Sequence, residues 1–496
     1  KSEAFWCALY LTRELGLPPA QEIIDLLPKN DLSQSSTNLQ KSLEGGVAFH
    51  ISDLNPEERK LIEEYFRAKD TKLRVIVATT TLAMGVNTPA DAVVIAGLEH
   101  PGNKAYSIAE YKNMVGRAGR LGFSPKGFSY LVAMTPNDEH NYWNRYVLGQ
   151  PEDLESKFFT SNTDPRSLVL RVLAASQRYA KQGMSTEDIS LFLEESFGSF
   201  QQKQKVQQWQ WDRNHTASML TELEQHELLQ NDGNGIYSLT RLGWVAGKSG
   251  IEVESVLRII DVIKSLQPDE ITDPVLITIS QLTTELDNVL FPINRKSTEK
   301  EPQTWQRELQ GQQIPQQVIN AIHRNVKDQA DSTLRAKKTV SCLLWITDTS
   351  LADIERSMTQ FGGSTGGAAG AIRGVASRTC DVLPVVADIA QVLHADLDLK
   401  DRIERLLIRL EFGISSKVSQ LAKYTGATLN RGDYQRLINT GLADIESIEK
   451  ASDEQLLDCL DGSAVKLEVV RNASDKKKED IEESSFTSPI LPQYEG

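Results

Sequence analysis

The sequence predicts an α/β domain with a parallel sheet, followed by a winged helix and then by a mainly α-helical domain. Three observations support this order. The strand signal is confined to the first part of the chain, helical periodicity dominates from residue 251 to about 460, and a hairpin pattern separates the two. Four short, nearly all-apolar runs are typical of strands buried on both faces of a parallel sheet. They are residues 46–51, 73–79, 92–97 and 128–133.

Helices are predicted around these strands. Residues 2–15 carry apolar side chains at helical spacing, and residues 55–67 form a second candidate, in which Asn55 can cap the helix and Pro56 can occupy its first position. A strand-rich segment that alternates with helices indicates an α/β layer over residues 1–150.

Winged-helix character is predicted for residues 151–250. Residues 184–197 and 215–229 read as helices, and the sequence NDGNG at 231–235 predicts a tight turn before the strand 236–240. Two or three helices followed by a β-hairpin are the signature of a winged helix.

The rest of the chain divides by composition into helical regions and a charged tail. A Gln- and Lys-rich stretch at 294–317 is predicted to be a loop or an insertion, and the charge-rich end is predicted to be a disordered or docking segment. The predicted divisions are a helical domain at 251–400, a helical region resembling helix-hairpin-helix modules at 401–470, and the tail at 471–496.

Composition excludes few functions. The formal net charge of −14 argues against a protein coated in basic surface, although a local positive channel can bind nucleic acid whatever the total. No apolar run is long enough to span a bilayer. The four cysteines show no CxxC or Cys/His spacing, so neither a disulfide framework nor a zinc site is indicated, and a cytoplasmic location is predicted (nuclear in a eukaryote).

Two segments carry the chemistry: VIVATTTLAMGVNTPADAVVI at 75–95 and YKNMVGRAGR at 111–120. Threonine hydroxyls and backbone N–H groups at the carboxyl end of a parallel sheet can bind a nucleic-acid backbone. Arg117 and Arg120 lie on a glycine-flanked turn, where two guanidinium groups can approach a polyphosphate and stabilise charge on a transferred phosphoryl group.

These segments resemble motifs of the Ski-like group of superfamily 2 helicases, which includes archaeal repair helicases and RNA-exosome helicases. ATTTLAMGVNTPA resembles motif V, and NMVGRAGR resembles the Q-x-x-G-R-x-G-R pattern of motif VI. The resemblance covers roughly residues 1–460. It implies a second RecA-like domain, a winged helix and a helical ratchet domain in that order.

The resemblance also implies roles for individual residues. Arg117 and Arg120 would face the γ-phosphate of ATP bound between two RecA-like domains, with Arg120 as the arginine finger. Thr79 and Thr81 would contact the nucleic-acid backbone. The remaining contacts to the nucleotide would come from Gly85, Asn87, Asn113 and Gly116, where Asn113 replaces the usual glutamine of the family.

Further features follow from the same resemblance. Residues 98–108 lie where such helicases can carry a duplex-splitting hairpin, although a plain surface hairpin has the same sequence. In the region of the ratchet helix, 371–394, Arg373 and Arg378 are candidates for contacts to phosphates or bases, because residues 364–380 contain no acidic side chain. Cys380 stands where an aromatic residue is expected, and Pro384 predicts a kink. His50 is expected to be a packed, hydrogen-bonded histidine.

No G-x-x-x-x-G-K-[ST] loop occurs in the sequence, and no Asp-Glu-x-His run follows a buried strand. The expectation is therefore the carboxyl-terminal half of a longer ATP-dependent helicase or translocase acting on DNA or RNA, inactive alone. Mg²⁺ would be held by a first RecA-like domain, supplied in the same or another polypeptide. The alternatives are a non-catalytic module that binds nucleic acid or protein, and a helicase subunit of a multi-gene bacterial defence system.

Overall fold

The chain divides into two compact units, which are described separately. The first unit comprises Lys1–Pro28, Ser33–Lys157 and Thr365–Gly370, and the second comprises Lys29–Leu32, Phe158–Ser364 and Ala371–Gly496. In the described residues no helix is both long and apolar enough to cross a membrane. The computed structural model describes residues 2–68, 70–80, 90–100, 104–119, 126–157, 164–180, 183–206, 208–296, 300–362 and 367–486.

All four strands predicted for the first unit are present, and they form two parallel pairs. Val47 lies opposite Val75 in the first pair, and Ala92 lies opposite Phe128 in the second. The parallel α/β prediction is therefore confirmed for these strands, each of which is shorter than its apolar run. Their bounds, with those of a small hairpin, are β1 Val47–His50, β2 Val75–Ala78, β3 Ala92–Ile95, β4 Glu99–His100, β5 Lys104–Ala105 and β6 Phe128–Leu131.

Helices pack against the first strand pair. As predicted, Asn55 caps the helix Pro56–Arg67 in a capping box, since the amide of Glu58 donates to the Asn55 side chain and the amide of Asn55 donates to the Glu58 carboxylate, both at 2.8 Å. Phe5, Leu39 and Phe49 belong to the buried core between these elements. The helices of this unit are Ser2–Glu14, Gln21–Ile24, Gln34–Leu43, Pro56–Arg67, Ile108–Val115 and Pro136–Tyr142, the last continued by one π-helical turn, Trp143–Val147.

Burial on both faces is found for β1 but not for the second pair. Every residue of β1 is buried, whereas Val94, Phe128 and Tyr130 are 61%, 56% and 54% exposed. One face of the second pair packs on a cluster around Tyr111 and Tyr146. No helix among the described residues covers the other face, so the prediction of two buried faces was wrong for β3 and β6.

The hairpin predicted at residues 98–108 is present. β4 and β5 pair antiparallel, with Glu99 opposite Ala105. His100 lies 3.0 Å from the carboxylate of Glu110, which ties the hairpin to the following helix. The sequence HPGN at 100–103 predicts the tip of this hairpin, and of these residues only His100 lies within the described part of the chain.

The second unit begins with helices and a small antiparallel sheet. The predicted turn at 231–235 is confirmed: Gly233 and Gly235 have positive φ angles of 85° and 84°, and the Asp232 carboxylate accepts from the amides of Asn234 and Ile236. The sheet order is β7–β9–β8. The elements are Pro165–Ala180, β7 Met184–Ser185, Thr186–Glu194, Phe197–Lys205, Arg213–Gln225, β8 Leu229–Asn231, β9 Ile236–Leu239 and Arg241–Ser249.

From residue 251 onward the described residues are helical, as predicted. The α-helices are Val253–Ile263, Asp273–Ser280, Thr284–Asp287, Lys300–Gln310, Gln316–Ile322, Gln329–Trp345, Leu351–Thr359, Ala369–Leu393, Lys400–Phe412, Ser419–Thr425, Arg431–Asn439, Ile445–Lys450, Asp453–Cys459 and Ala464–Phe486, and the 3₁₀ turns are Pro268–Glu270, Ser416–Val418 and Gly426–Thr428.

Two segments in this region are more helical than predicted. The stretch 294–317, predicted to be a loop or an insertion, contains the helix Lys300–Gln310, in which Trp305 and Leu309, one helical turn apart, are both buried among polar neighbours. The loop alternative was therefore wrong for the residues of this helix. The charged tail is helical as far as Phe486, so the disordered alternative was wrong up to that residue, and the docking alternative stays a prediction.

The helix Gln329–Trp345 buries a lysine whose titration predicts a pH effect on stability. Lys338 is 1% exposed, its Nζ donates to the Leu286 carbonyl at 2.6 Å, and burial lowers its pKa to about 8. Between pH 8 and 10 the unfolded chain still holds the proton that folded Lys338 has lost. The free energy of unfolding should therefore rise with pH, by roughly 3 kcal/mol in total.

Urea unfolding at several pH values between 7.5 and 10 would measure this rise. Lys338→Met should flatten it relative to Lys327→Met, a matched change at an exposed lysine. Equal pH dependence in the two variants would contradict the assignment to Lys338.

Candidate nucleotide and nucleic-acid site

The helix Ile108–Val115 leads directly into the arginine loop. Ser107 caps it in a capping box with Glu110, so the helix begins at a fixed residue. Tyr111 is buried, with its ring centroid 5.4 Å from that of Tyr146. Asn113 lies in the last turn, and Gly116 follows as the residue that ends the helix.

Glu152, which follows this helix in the sequence, also caps its first turn. Its carboxylate accepts from the amides of Ile108 and Ala109 at 2.7 and 3.0 Å. These hydrogen bonds lower the pKa of Glu152, so the carboxylate is ionised where the amino-terminal end of a helix favours negative charge. The sequence gives no signal for this contact, because Glu152 lies more than forty residues from the helix it caps.

The structure joins the ends of the two predicted motifs through their backbones. The amide of Ala90 donates to the Arg117 carbonyl at 3.1 Å, and the amide of Gly119 donates to the Ala90 carbonyl at 2.9 Å. Ala90 and Ala118 therefore form a parallel bridge. Because Ala90 ends the motif-V-like segment, the resemblance to motif V and the resemblance to motif VI meet at one place in the fold.

Two glycines make this close approach possible. Gly119 has a φ angle of 65°, and a Cβ atom built on it would lie 2.3 Å from the Gly127 amide nitrogen. A Cβ atom on Gly127 would in turn lie 2.3 Å from the Ala118 carbonyl carbon. Any side chain at either position would displace the loop that carries Arg117.

Thr79 lies at the carboxyl end of β2, half-buried, and its amide donates to the His50 carbonyl at 3.3 Å. His50 ends β1 beside it. The imidazole is 2% exposed and contacts Glu63 through Nε2 at 2.9 Å, and burial lowers its pKa against the opposing effect of Glu63. These contacts agree with the prediction of a packed, hydrogen-bonded histidine.

Thr79 thus follows β2, and Arg117 follows the helix Ile108–Val115. Asn113 lies in the last turn of that helix and Gly116 ends it. Four predicted site residues lie outside the described residues: Thr81, Gly85, Asn87 and Arg120.

Arg373 and Arg378 belong to the long helix Ala369–Leu393 of the second unit, which includes Pro384 without ending there. Arg378 is 42% exposed and pairs with Asp381 at 3.0 Å, one residue beyond the acid-free window that singled it out. Cys380 lies between Arg378 and Asp381 in the sequence and is partly buried. Burial raises the pKa of its thiol to about 12, so the thiol is neutral.

The backbone of the arginine loop is held by the Ala90 bridge and by a close approach of Gly119 and Gly127 that leaves no room for a Cβ atom at either position. A set of ligands for Mg²⁺ is not found beside this loop or elsewhere in the described part of the chain, where no group of three or more His, Cys, Asp or Glu side chains could hold a metal ion.

A parallel α/β unit that joins a threonine-bearing strand end to an arginine loop is the arrangement of the carboxyl-terminal RecA-like domain of helicases. The comparison with protein families agrees: residues 20–122 match the helicase conserved C-terminal domain. The match includes both motif-like segments and the loop between them.

Three individual proteins similar to this chain are all DNA helicases of one kind. The chain is 35% identical over 226 residues to the ATP-dependent DNA helicase Hel308 of Pyrobaculum calidifontis, covering 45% of this chain and 30% of the relative. It is 26% identical over 462 residues to Hel308 of Pyrococcus horikoshii, covering 90% and 58%. Hel308 of Caldivirga maquilingensis is 34% identical over 189 residues, covering 37% and 23%. The resemblance to Ski-like superfamily 2 helicases is confirmed, and the matched region spans less than two thirds of each of these relatives.

Proposed function

We propose that this chain is part of an ATP-dependent DNA helicase or translocase and supplies one side of its nucleotide cleft. The observation that carries the proposal is the backbone bridge between Ala90 and the Arg117 loop. It joins the backbone of the Arg117 loop to the segment that follows β2, so that the proposed contacts to the nucleotide and to the strand would come from two segments joined within one unit.

Within this proposal, Arg117 and Arg120 face the γ-phosphate, and Arg120 acts as the arginine finger. Gly85, Asn87, Asn113 and Gly116 line the nucleotide, while Thr79 and Thr81 contact the strand. ATP brings the phosphoryl group to be transferred, and the arginines stabilise the negative charge that develops on it.

The nucleotide needs a second cradle. Because the sequence lacks a phosphate-binding Walker loop, we propose that a first RecA-like domain, in the same polypeptide or in a partner, holds the β- and γ-phosphates with Mg²⁺. The chain by itself is then expected to hydrolyse no ATP. A cytoplasmic or nuclear location belongs to the same proposal.

The second unit would supply further contacts to the strand. Helices and the antiparallel sheet β7–β9–β8 support the assignment of residues 151–250 as a winged helix that acts as a scaffold. The long helix Ala369–Leu393 supports the assignment of a ratchet, with Arg373 and Arg378 toward the strand. The ion pair between Arg378 and Asp381 would have to open, at least in part, for the Arg378 guanidinium to contact the strand.

DNA is favoured over RNA as the substrate because the relatives named above are DNA helicases. The test is strand separation by the full-length protein on a partial duplex with a single-stranded tail, in DNA and RNA versions, with and without ATP. ATP-dependent separation of the DNA substrate is expected. If tailed DNA is bound but neither separated nor able to stimulate hydrolysis, the protein is a binding module and the proposal fails.

A further inference from the structure

A second-unit pocket of about 470 Å³ lies away from the segments that resemble helicase motifs. Its floor is the helix Lys400–Phe412, and it faces the start of the helix Asp273–Ser280. Arg402, Arg405 and Arg409 line it, and their spacings of three and four residues place all three on one face of their helix.

One carboxylate balances these three guanidinium groups. Arg402 donates through Nε to Asp273 Oδ1 at 2.6 Å, and Arg409 donates through Nη1 to Asp273 Oδ2 at 3.2 Å. Both arginines also donate to backbone carbonyls, Arg402 to Ile271 and Arg409 to Ile346. Asp273 is the only acidic side chain that lines the pocket, so the described lining carries two positive charges in excess.

Arg409 is held at an electrostatic cost. Its Nε atom is buried and finds no hydrogen-bond partner among the described residues. Burial lowers its pKa, although Asp273 opposes the effect. A guanidinium stays charged at any physiological pH, so an additional anion in the pocket would relieve this cost.

Of the three arginines, Arg405 is the one whose guanidinium could bind an additional anion. It is exposed and, among the described residues, makes no hydrogen bond or ion pair. Its neighbours across the pocket include Ser416, which is exposed, and Ser419, whose hydroxyl donates to the Ser416 carbonyl at 2.9 Å. Arginine guanidinium groups and serine hydroxyls are common partners of a bound phosphate.

We infer that this pocket binds a phosphate group, and specifically a backbone phosphate of single-stranded nucleic acid. The strand is favoured over a free anion because the pocket is broad and open along a helix face, with its arginines spread over two helical turns. The inference rests on the proposed function for the identity of the polymer, and it adds a grip on the strand at the junction of two helices in the second unit.

The test is equilibrium binding of a fluorescent oligothymidylate to this chain without ATP, at several salt concentrations. Arg405→Ala should weaken binding by roughly threefold to tenfold and reduce the slope of log K against log salt by about 0.7, the value for one phosphate contact on a single strand. Arg405→Lys should recover part of the affinity. Arg307→Ala, at an exposed arginine on the helix Lys300–Gln310 that also makes no ion pair within the described part of the chain, should change neither quantity.

Inorganic phosphate separates the two sources of the ligand. If Arg405→Ala binds the oligonucleotide as Arg307→Ala does but loses thermal stabilisation by phosphate, the pocket takes a small anion and the strand assignment is overturned. If neither probe distinguishes the variants, the site itself is refuted. Because no ATP is present, failure here is separate from failure of strand separation by the full-length protein.

Discussion

Replacing Arg120 by alanine in the full-length protein is expected to slow nucleic-acid-stimulated ATP hydrolysis by about a thousandfold or more. An arginine finger stabilises charge on the phosphoryl group in the transition state, and losing such a group typically costs three to five orders of magnitude. Arg117→Ala should also reduce turnover, because the proposed function places its guanidinium on the same γ-phosphate. Steady-state hydrolysis with saturating single-stranded DNA measures both effects.

The chemistry of the side chain can be separated from its charge. Arg120→Lys retains a cation but loses the planar fork, and we expect it to recover little of the lost rate. Arg13→Ala, at an exposed arginine of the helix Ser2–Glu14, is the matched control and should leave turnover unchanged. DNA binding without nucleotide should survive in every variant. Undiminished hydrolysis in Arg120→Ala would remove this residue from the mechanism.

Replacing Glu301 by alanine is expected to destabilise the helical unit by about 3–5 kcal/mol, the usual cost of breaking a buried ion pair. The Glu301 carboxylate and the Lys337 ammonium are 2.7 Å apart, with side chains 1% and 0% exposed. Lys337 also donates to the Pro292 carbonyl and lies over the Trp305 ring, 5.3 Å from its centroid. Without Glu301 the ammonium is buried with no carboxylate.

Urea unfolding followed by far-UV circular dichroism would measure this loss. The double variant Glu301→Leu with Lys337→Met should regain most of the stability, because it removes both charges and fills the space with apolar atoms. Glu308→Ala, at an exposed position of the same helix, is the control and should change stability by less than about 0.5 kcal/mol. If the double variant is no more stable than Glu301→Ala, then packing rather than uncompensated charge dominates.

Local patterns predicted much of this fold. The apolar runs predicted β1, β2, β3 and β6, and the Asn55-Pro56 start predicted a helix, because these features depend on residues adjacent in sequence. Burial was less predictable. A nearly all-apolar run predicts two covered faces, yet coverage depends on elements elsewhere in the chain, and Val94 and Tyr130 are more than half exposed.

Local sequence patterns do not predict which charged residues are buried. Lys337 and Lys338 are adjacent lysines in a polar-looking helix, and composition places them on the surface. They are buried because Glu301 and the Leu286 carbonyl meet them from other segments. The same limit explains why the composition of 294–317 predicts a loop or an insertion. The partner of Glu301 in this stretch is Lys337, which lies 36 residues further along the chain.

The candidate site was predictable to the extent that it is a sequence motif. Glycine-flanked arginines and a threonine cluster mark it, and the contact between the segments at Ala90 is the added structural fact. The spacing of Arg402, Arg405 and Arg409 predicts three arginines on one helix face. It does not predict the pocket, because Asp273 comes from a segment about 130 residues earlier in the chain.

The bridge at Ala90 has an entropic consequence as well. Its two hydrogen bonds close a loop of about thirty residues that contains the small hairpin and the helix Ile108–Val115. Closing a flexible loop of that length costs on the order of 3 kcal/mol in chain entropy. This cost arises on folding and not on ligand binding. A ligand that contacts Arg117 therefore does not have to order the loop backbone, and its affinity is higher than it would be for a flexible loop.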